Sequence, residues 1–233
     1  MKVVILAGGK GTRIFEESRF KPKPLIKIGN KPIIWHIIKI YKYYGFNDFL
    51  ICGGYKYSSL KKFFQKSKDL KNIKVINTGL NSSTGGRLLR LKKYLKDEQN
   101  FFFTYGDGLS DINLNKLLKF HKKNNKICTL TAVKPTSQFG LLKLDKKNYV
   151  KSFIEKPKMD YINGGVFVIT SKIFKYIKND NTNFEKDVLT KLAKIKQLSA
   201  YKNNKFWKCM DSIKDKNDFN KLFKNNKAPW KKW

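Results

Sequence analysis

Three short stretches of this chain combine residue types that handle phosphate. The first, Leu6-Ala7-Gly8-Gly9-Lys10-Gly11-Thr12-Arg13, puts three glycines within four positions and ends on an arginine. Without a Cβ, glycine lets the backbone close on a ligand and turn its N–H groups toward anionic oxygens, and a guanidinium can fork onto two of them. The spacing excludes two familiar loops: no Gly-Lys-Ser/Thr closes it, and Ile14 stands where a dinucleotide fingerprint needs its third glycine. The second stretch is Lys21-Pro22-Lys23-Pro24, whose prolines exclude helix and predict an extended arm from which the lysines project. The third, Asn81-Ser82-Ser83-Thr84-Gly85-Gly86-Arg87, sets hydroxyls, glycines and an arginine before a helix, where backbone N–H groups are free to meet an anion. A tight turn, a basic loop and a simple helix cap would explain each stretch taken alone.

Carboxylates supply the complementary chemistry. Phe101-Phe102-Phe103-Thr104-Tyr105 reads as a buried strand ending in Gly106-Asp107-Gly108, and the carboxyl end of a parallel strand is where open α/β sheets bind ligands. Flanking glycines leave room for a triphosphate and a divalent cation, and Mg²⁺ typically takes one or two protein carboxylates. Asp211, in Trp207-Lys208-Cys209-Met210-Asp211, is a candidate partner that spacing alone does not pair with Asp107. Glu155-Lys156-Pro157 and Asn163-Gly164-Gly165 offer a charged and amide-bearing rim for a polar small molecule. His36 and His121 fall on helical stretches without partners in view and read as structural. Nothing suggests a Ser-His-Asp or Cys-His arrangement.

The elements that must position these residues alternate. Runs 2–7, 49–53, 73–77 and 101–105 are β-branched or aromatic, and stretches of helical periodicity follow them. Ile33, Ile34, Ile37, Ile38 and Tyr41 form one apolar stripe, Leu88, Leu91 and Leu95 a second, and Leu114, Leu117 and Leu118 a third. This alternation predicts a Rossmann-like, mixed but mostly parallel central sheet flanked by helices. Beyond about residue 127, the runs 127–134, 139–144, 149–155 and 164–170 follow closely and predict antiparallel strands. Helical segments near 184–197 and 214–224 come after them. We read residues 1–233 as a single domain with a nucleotide-binding half (about 1–125) and an acceptor-binding half (about 126–233).

Composition bounds the partners. The chain of 233 residues carries 51 Lys+Arg against 17 Asp+Glu, a formal net charge of +34, which by itself suggests a polyanion binder. Only Arg13, Arg19, Arg87 and Arg90 are arginines, and the charge is spread evenly, +15 over residues 1–116 and +19 over 117–233. A nucleic-acid face would favour Arg and concentrate it, so the lysines read as a solvated coat and no nucleic-acid partner is expected. The same rarity of arginine makes Arg13 and Arg87 stand out as candidate phosphate contacts. Cys52, Cys128 and Cys209 lack metal-like spacing and suit a reducing compartment. The apolar start is broken by Gly8-Gly9 and no run approaches a membrane span, so a cytoplasmic protein without a membrane partner is expected.

Taken together, these motifs resemble those of the sugar-phosphate nucleotidyltransferases, and among them the glucose-1-phosphate cytidylyltransferases. The resemblance runs from end to end, through GGKGTR, KPKP, IGNKPIIWHIIKIY, STGGR, FTYGDG, EKP, INGG, WKCMD and APWKKW. It implies the nucleotidyltransferase fold, CTP as donor, and Mg²⁺ held by Asp107 and Asp211. Leu6, Ala7, Gly8, Gly9, Gly11, Thr12, Arg13 and Lys23 would surround the nucleotide and its phosphates, with Arg13, Lys23 and Asp107 catalytic. Ser82, Gly86 and Arg87 would help bind the cytidine, while Thr104, Gly140, Glu155, Lys156, Asn163 and Gly165 would face a small phosphorylated acceptor. The implied reaction gives CDP-glucose and pyrophosphate for surface polysaccharide biosynthesis, in a homo-oligomer. Two departures accompany the likeness. Residues 71–79 pass straight through where the family carries a longer polar excursion, which bears on oligomeric packing and the cover of the site. Gln138 stands where the family has Arg, which bears on the acceptor; a related branch makes CDP-glutamine from a non-sugar phosphate.

Overall fold

Val3 and Ile5 point to one face of a sheet and Val4 to the other, all with no exposed surface, as the two-residue period of a strand requires. The computed structural model describes residues 1–135, 139–157 and 160–233. Its main strands are β1 (Lys2–Ala7), β2 (Asp48–Gly53), β3 (Ile73–Asn77), β4 (Asn100–Tyr105), β5 (Gly108–Ser110), β6 (Cys128–Val133), β7 (Leu141–Leu144), β8 (Val150–Ile154), β9 (Ile162–Thr170), β10 (Leu198–Asn203) and β11 (Trp207–Cys209). Seven of them form one sheet in the order β10-β6-β9-β4-β1-β2-β3. All run parallel except β9, which pairs antiparallel with both β4 and β6. The sheet therefore draws on both halves of the chain, and β9 is the seam between them.

Helices cover both faces. Here α1 is Ile33–Tyr43, α2 Tyr57–Lys66, α3 Thr84–Leu89, α4 Leu114–Asn124, α5 the π-helical turn Phe184–Leu189 and α6 Ile213–Lys224. The α1 stripe joins Val3, Ile5, Phe49, Ile51 and Phe102 in one core. On the opposite face, Val4, Leu50, Phe101 and Phe103 pack with Leu88 of α3 and with Phe184 and Val188 of α5. The second stripe expected from the sequence divides: Leu88 lies in α3, Leu91 between helices, and Leu95 in a short turn, Lys92–Leu95. All three leucines are buried regardless.

The strands expected beyond residue 127 separate into two groups. β6 and β9 enter the main sheet, whereas β7 and β8 pair only with each other as an antiparallel hairpin. That hairpin leaves Leu141, Leu142, Leu144, Val150 and Phe153 exposed.

Candidate active site

The glycine loop leaves the carboxyl end of β1 and turns through Thr12–Ile14, with Gly11 at φ 69°. A Cβ on Gly11 would lie 3.1 Å from the β-carbons of both Lys23 and Ser18, so the turn demands glycine for space as well as for φ. Every residue expected of this loop, Leu6 to Gly9 and Gly11 to Arg13, lines a cleft of about 560 Å³, with Lys23, Ser82, Arg87 and Asp107 on its other walls.

Lys23 differs from the expected projecting arm. Pro22 is extended, but Lys23–Leu25 closes a 3-10 turn, which tolerates Pro24 because a first-turn N–H needs no helical partner. Lys23 is consequently 8% exposed, while Lys21 pairs with Glu17 at 2.9 Å. From its buried seat, Lys23 Nζ donates to Asp107 Oδ2 at 2.5 Å and to Asp211 Oδ1 at 2.8 Å. Arg13 Nη1 donates to Asp211 Oδ2 at 2.6 Å. The two carboxylates meet because β5 and β11 pair antiparallel, Cys209 opposite Gly108, and the Met210 N–H donates to the Asp107 carbonyl at 2.9 Å. Burial alone would raise the Asp211 carboxyl, but Lys23, Cys209 and Arg13 around it outweigh burial and hold it below the usual range. Burial would likewise lower the Lys23 ammonium, and the two aspartates reverse that and raise it.

Arg87 is buried without a carboxylate. Its Nη1 donates to the Gly79 carbonyl at 2.7 Å and the Thr78 hydroxyl at 3.0 Å, and its Nη2 to the Leu80 carbonyl at 3.1 Å. Desolvation lowers its pKa from the ordinary value. The guanidinium therefore ties down the segment 78–80 leading to Ser82 while still lining the cleft. Gly86 lies behind that wall. Its N–H donates to the Thr182 carbonyl at 3.2 Å, and a Cβ there would collide with the Asp180 carbonyl oxygen. The glycine seats α3 on the loop 180–182, and it is absent from the cleft lining.

On the acceptor side the expected residues divide. Thr104 and Gly165 border a small cavity of about 20 Å³ beside Tyr105 and Asp107. The Thr104 hydroxyl donates to the Gly165 carbonyl at 3.1 Å, and Asn163 Oδ1 accepts from the Gly165 N–H at 2.9 Å. Gly140 and Glu155 lie together at the base of the hairpin, a Gly140 Cβ falling 3.3 Å from Glu155 Oε2. Glu155 and Lys156 are exposed, and neither is among the residues lining the two cavities. Gln138 lies outside the described residues. His36 and His121 are buried and hydrogen-bonded away from the cleft.

Tyr105, inside FTYGDG but with no role assigned to it there, and Glu185, which carries no local motif, both line the cleft. The Tyr105 hydroxyl donates to Glu185 Oε1 at 2.5 Å, and the Thr84 hydroxyl donates to Glu185 Oε2 at 2.7 Å. Burial and the neighbouring carboxylate push the Tyr105 phenol far up, so it stays a donor.

The donor chemistry at Asp107 and Asp211 suits Mg²⁺. Two carboxylate oxygens already converge on one cationic group, Lys23 Nζ, beside an open cleft able to supply water and phosphate ligands. Among the described residues, no group of three or more His, Cys, Asp and Glu forms a closed metal cage.

The model of the nucleotidyl transferase family matches residues 2–223. The chain is 42% identical over 257 aligned positions to the glucose-1-phosphate cytidylyltransferase of Salmonella typhimurium, and 40% identical over 256 to the probable glucose-1-phosphate cytidylyltransferase of Bacillus subtilis, covering all of both chains in each case. An alignment longer than the 233 residues here means that the relatives carry segments without a counterpart. The fold is also that of HddC from Yersinia pseudotuberculosis, solved with GMP-PN, at a TM-score of 0.76 and 24% identity over 95% of this chain and 99% of that one. With the family model spanning nearly the whole sequence and full-length relatives at 40–42% identity, the chain belongs to the nucleotidyl transferase family.

Proposed function

We propose that this nucleotidyltransferase transfers CMP from CTP to glucose 1-phosphate, giving CDP-glucose and pyrophosphate. The carrying observation is the convergence of Lys23, Arg13, Asp107 and Asp211 at the glycine loop, in a chain aligned end to end with a glucose-1-phosphate cytidylyltransferase. An acceptor phosphate oxygen attacks the α-phosphorus in line; the new P–O bond forms as the α–β bond breaks, and its electron pair leaves with pyrophosphate. A phosphate monoester loses its second proton near pKa ~6, so the nucleophile is already a dianion at neutral pH and needs no general base. The protein's part is positioning and charge neutralisation. Gly9 and Gly11 backbone approaches the triphosphate, Arg13 and Lys23 place positive charge against it, and Asp107 with Asp211 would hold Mg²⁺. Bound there, the metal would neutralise triphosphate oxygens as charge moves to the leaving group.

In this reading residues 1–233 form one catalytic domain. Among the described residues no helix is long and apolar enough to cross a membrane. The reading makes the protein a cytoplasmic enzyme acting on small phosphorylated substrates in surface polysaccharide synthesis. The exposed leucines and aromatics of the β7–β8 hairpin support a homo-oligomer, since a two-stranded ribbon is marginal unless something covers it. The test is pyrophosphate release with Mg²⁺, each NTP in turn, and a panel of acceptors including phosphoglutamine. CTP with glucose 1-phosphate should react fastest; faster reaction with phosphoglutamine makes the product CDP-glutamine. No pyrophosphate from CTP with any acceptor overturns the enzymatic reading, and tight, salt-steep RNA or DNA binding would then favour a polyanion binder.

A further inference from the structure

Glu185 stands where three functional segments meet. Its Oε2 accepts from Thr84, the first residue of α3, the helix that also carries Arg87. Its Oε1 accepts from Tyr105, two residues before Asp107. The Tyr105 hydroxyl in turn accepts from Asn163 Nδ2 at 3.2 Å, and the Tyr105 ring leaves no room for a side chain at Gly165, whose Cβ would lie 2.5 Å from it. One carboxylate thus connects the nucleotide segment, the strand that leads into Asp107 and the strand bearing Asn163 and Gly165.

Two features set this contact apart from ordinary surface pairing. In a chain with 51 basic residues, Glu185 makes no ion pair among the described residues, although it lies in a cleft meant for polyanions. Moreover, Thr84 Oγ1 also accepts from the Phe184 N–H at 2.9 Å, and α5 begins at that residue in a π-helical turn, a geometry often found at functional sites. The hydroxyl is held from two sides and cannot turn without releasing one.

We propose that Glu185 is a positioning residue that links the two substrate subsites, so that filling the acceptor side orders the nucleotide side and the reverse. It acts through Tyr105 and Thr84. An acceptor that settles on Asn163 and Gly165 fixes Tyr105, Tyr105 holds Glu185, and Glu185 holds Thr84 and the start of α3. Linkage makes the effect reciprocal: each ligand tightens the other by the same factor.

This inference rests on the cytidylyltransferase reading, and calorimetry separates the two. The probes are α,β-methylene-CTP, which cannot react, and glucose 1-phosphate, both with Mg²⁺. In the wild type each should tighten the other by about fivefold or more. Glu185→Gln, Tyr105→Phe and Thr84→Val should each bring that factor close to one, whatever each does to the affinity for α,β-methylene-CTP alone. Thr84→Ser, which keeps the hydroxyl, should retain the factor. Circular dichroism and the isolated-ligand affinities report whether each variant is folded. A wild type that binds both ligands independently overturns the proposal alone, as does full linkage in Tyr105→Phe or Thr84→Val. If Glu185→Gln weakens glucose 1-phosphate while Thr84→Val changes nothing, Glu185 contacts the acceptor directly and the link is wrong. A wild type that binds neither probe overturns the functional reading, and the proposal with it.

Discussion

The guanidinium of Arg87 occupies the space that a side chain on Gly8 would need: a Cβ on Gly8 would collide with Arg87 Nη1. Gly54 is in the same position, its Cβ meeting the same nitrogen. Gly8 is therefore accounted for by a buried arginine, and Gly54 by that arginine together with the Gly8 and Gly79 carbonyl oxygens, each 2.7 Å from its Cβ, so the ligand need not be invoked for either. Gly9, by contrast, has open space for 4 Å around the place a Cβ would take, and it borders the cleft.

Gly8→Ala and Gly9→Ala should consequently part company. Gly8→Ala must displace Arg87 from the Gly79 and Leu80 carbonyls, and overpacking of this kind destabilises by about 1–3 kcal/mol. It should lower the melting temperature and weaken CTP binding together. Gly9→Ala should melt within about 0.5 kcal/mol of the wild type, as substitutions free of steric conflict do. If its backbone approaches the triphosphate, it should still raise the KM for CTP. Equal melting temperatures for the two variants would refute the assignment of Gly8 to Arg87.

That division shows what is legible in the sequence and what is not. Runs 2–7, 49–53, 73–77 and 101–105 appear as β1 to β4 within a residue at either end, because a continuous β-branched or aromatic run on a buried parallel strand is a local signal. Asp107 is readable for the same reason, lying just past β4. Its pairing with Asp211 is not, because their meeting depends on the β5–β11 ladder between segments about a hundred positions apart. Tyr105 and Glu185 are 80 residues apart, and neither has a neighbour in sequence that betrays the contact. Glycine carries the least information of all. Gly8 makes room for Arg87, Gly11 adopts positive φ, and Gly86 packs on a carbonyl, so one residue type serves three physical ends. Lys23 misleads in the other direction, since proline restriction describes φ and says nothing about which side of the arm is buried.

Lys23 is the next position to test. Among the described residues its ammonium is the one group bonded to both aspartates, and Lys23→Ala should leave the fold intact while reducing kcat by about 10²–10³-fold, the scale seen when a preorganised charge-stabilising donor is removed. Lys23→Arg should not rescue, because a planar fork cannot replace a compact ammonium in an 8% exposed seat. Asp107→Asn should lose turnover to a similar degree. Pyrophosphate release and circular dichroism measure both effects; near-normal turnover in Lys23→Ala would remove it from the reaction.

Chelation gives a second readout of the same site. EDTA should abolish pyrophosphate release, and added Mg²⁺ should restore it to the wild type but not to the double variant Asp107→Asn/Asp211→Asn. Activity that survives exhaustive chelation would rule out the assigned metal role of the two aspartates.

The β7–β8 hairpin makes its own prediction. Leu142 is 50% and Phe153 61% exposed, and they face each other in the ladder. Apolar surface at this density on a small ribbon is covered when copies associate. Light scattering of the wild type should give a mass above that of the 27.3 kDa monomer. The variant Leu142→Glu/Phe153→Glu should shift it downward, and a monomeric wild type would refute the homo-oligomer.

Two buried histidines set the acid limit of the fold. His36 has no exposed surface; its Nε2 lies 3.1 Å from the Ile28 carbonyl, and Trp230 Nε1 donates to its Nδ1 at 3.5 Å. His121 is 2% exposed, with its ring nitrogens 2.8 Å from Thr129 Oγ1 and 2.9 Å from Asn100 Oδ1. Burial lowers both to a pKa of about 4, from 6.5 in an open chain. The unfolded chain therefore takes up protons as pH falls below 6.5, while the folded chain does so only near 4. Stability from neutral burial is complete above 6.5 and is lost between 6.5 and 4, by ~3 kcal/mol for each histidine over the full window. Urea unfolding at pH 7.5 and pH 5 should show a marked fall in midpoint, and His36→Phe should reduce the pH dependence by one proton's share. Midpoints that coincide at the two pH values would mean that neither histidine is held neutral by the fold.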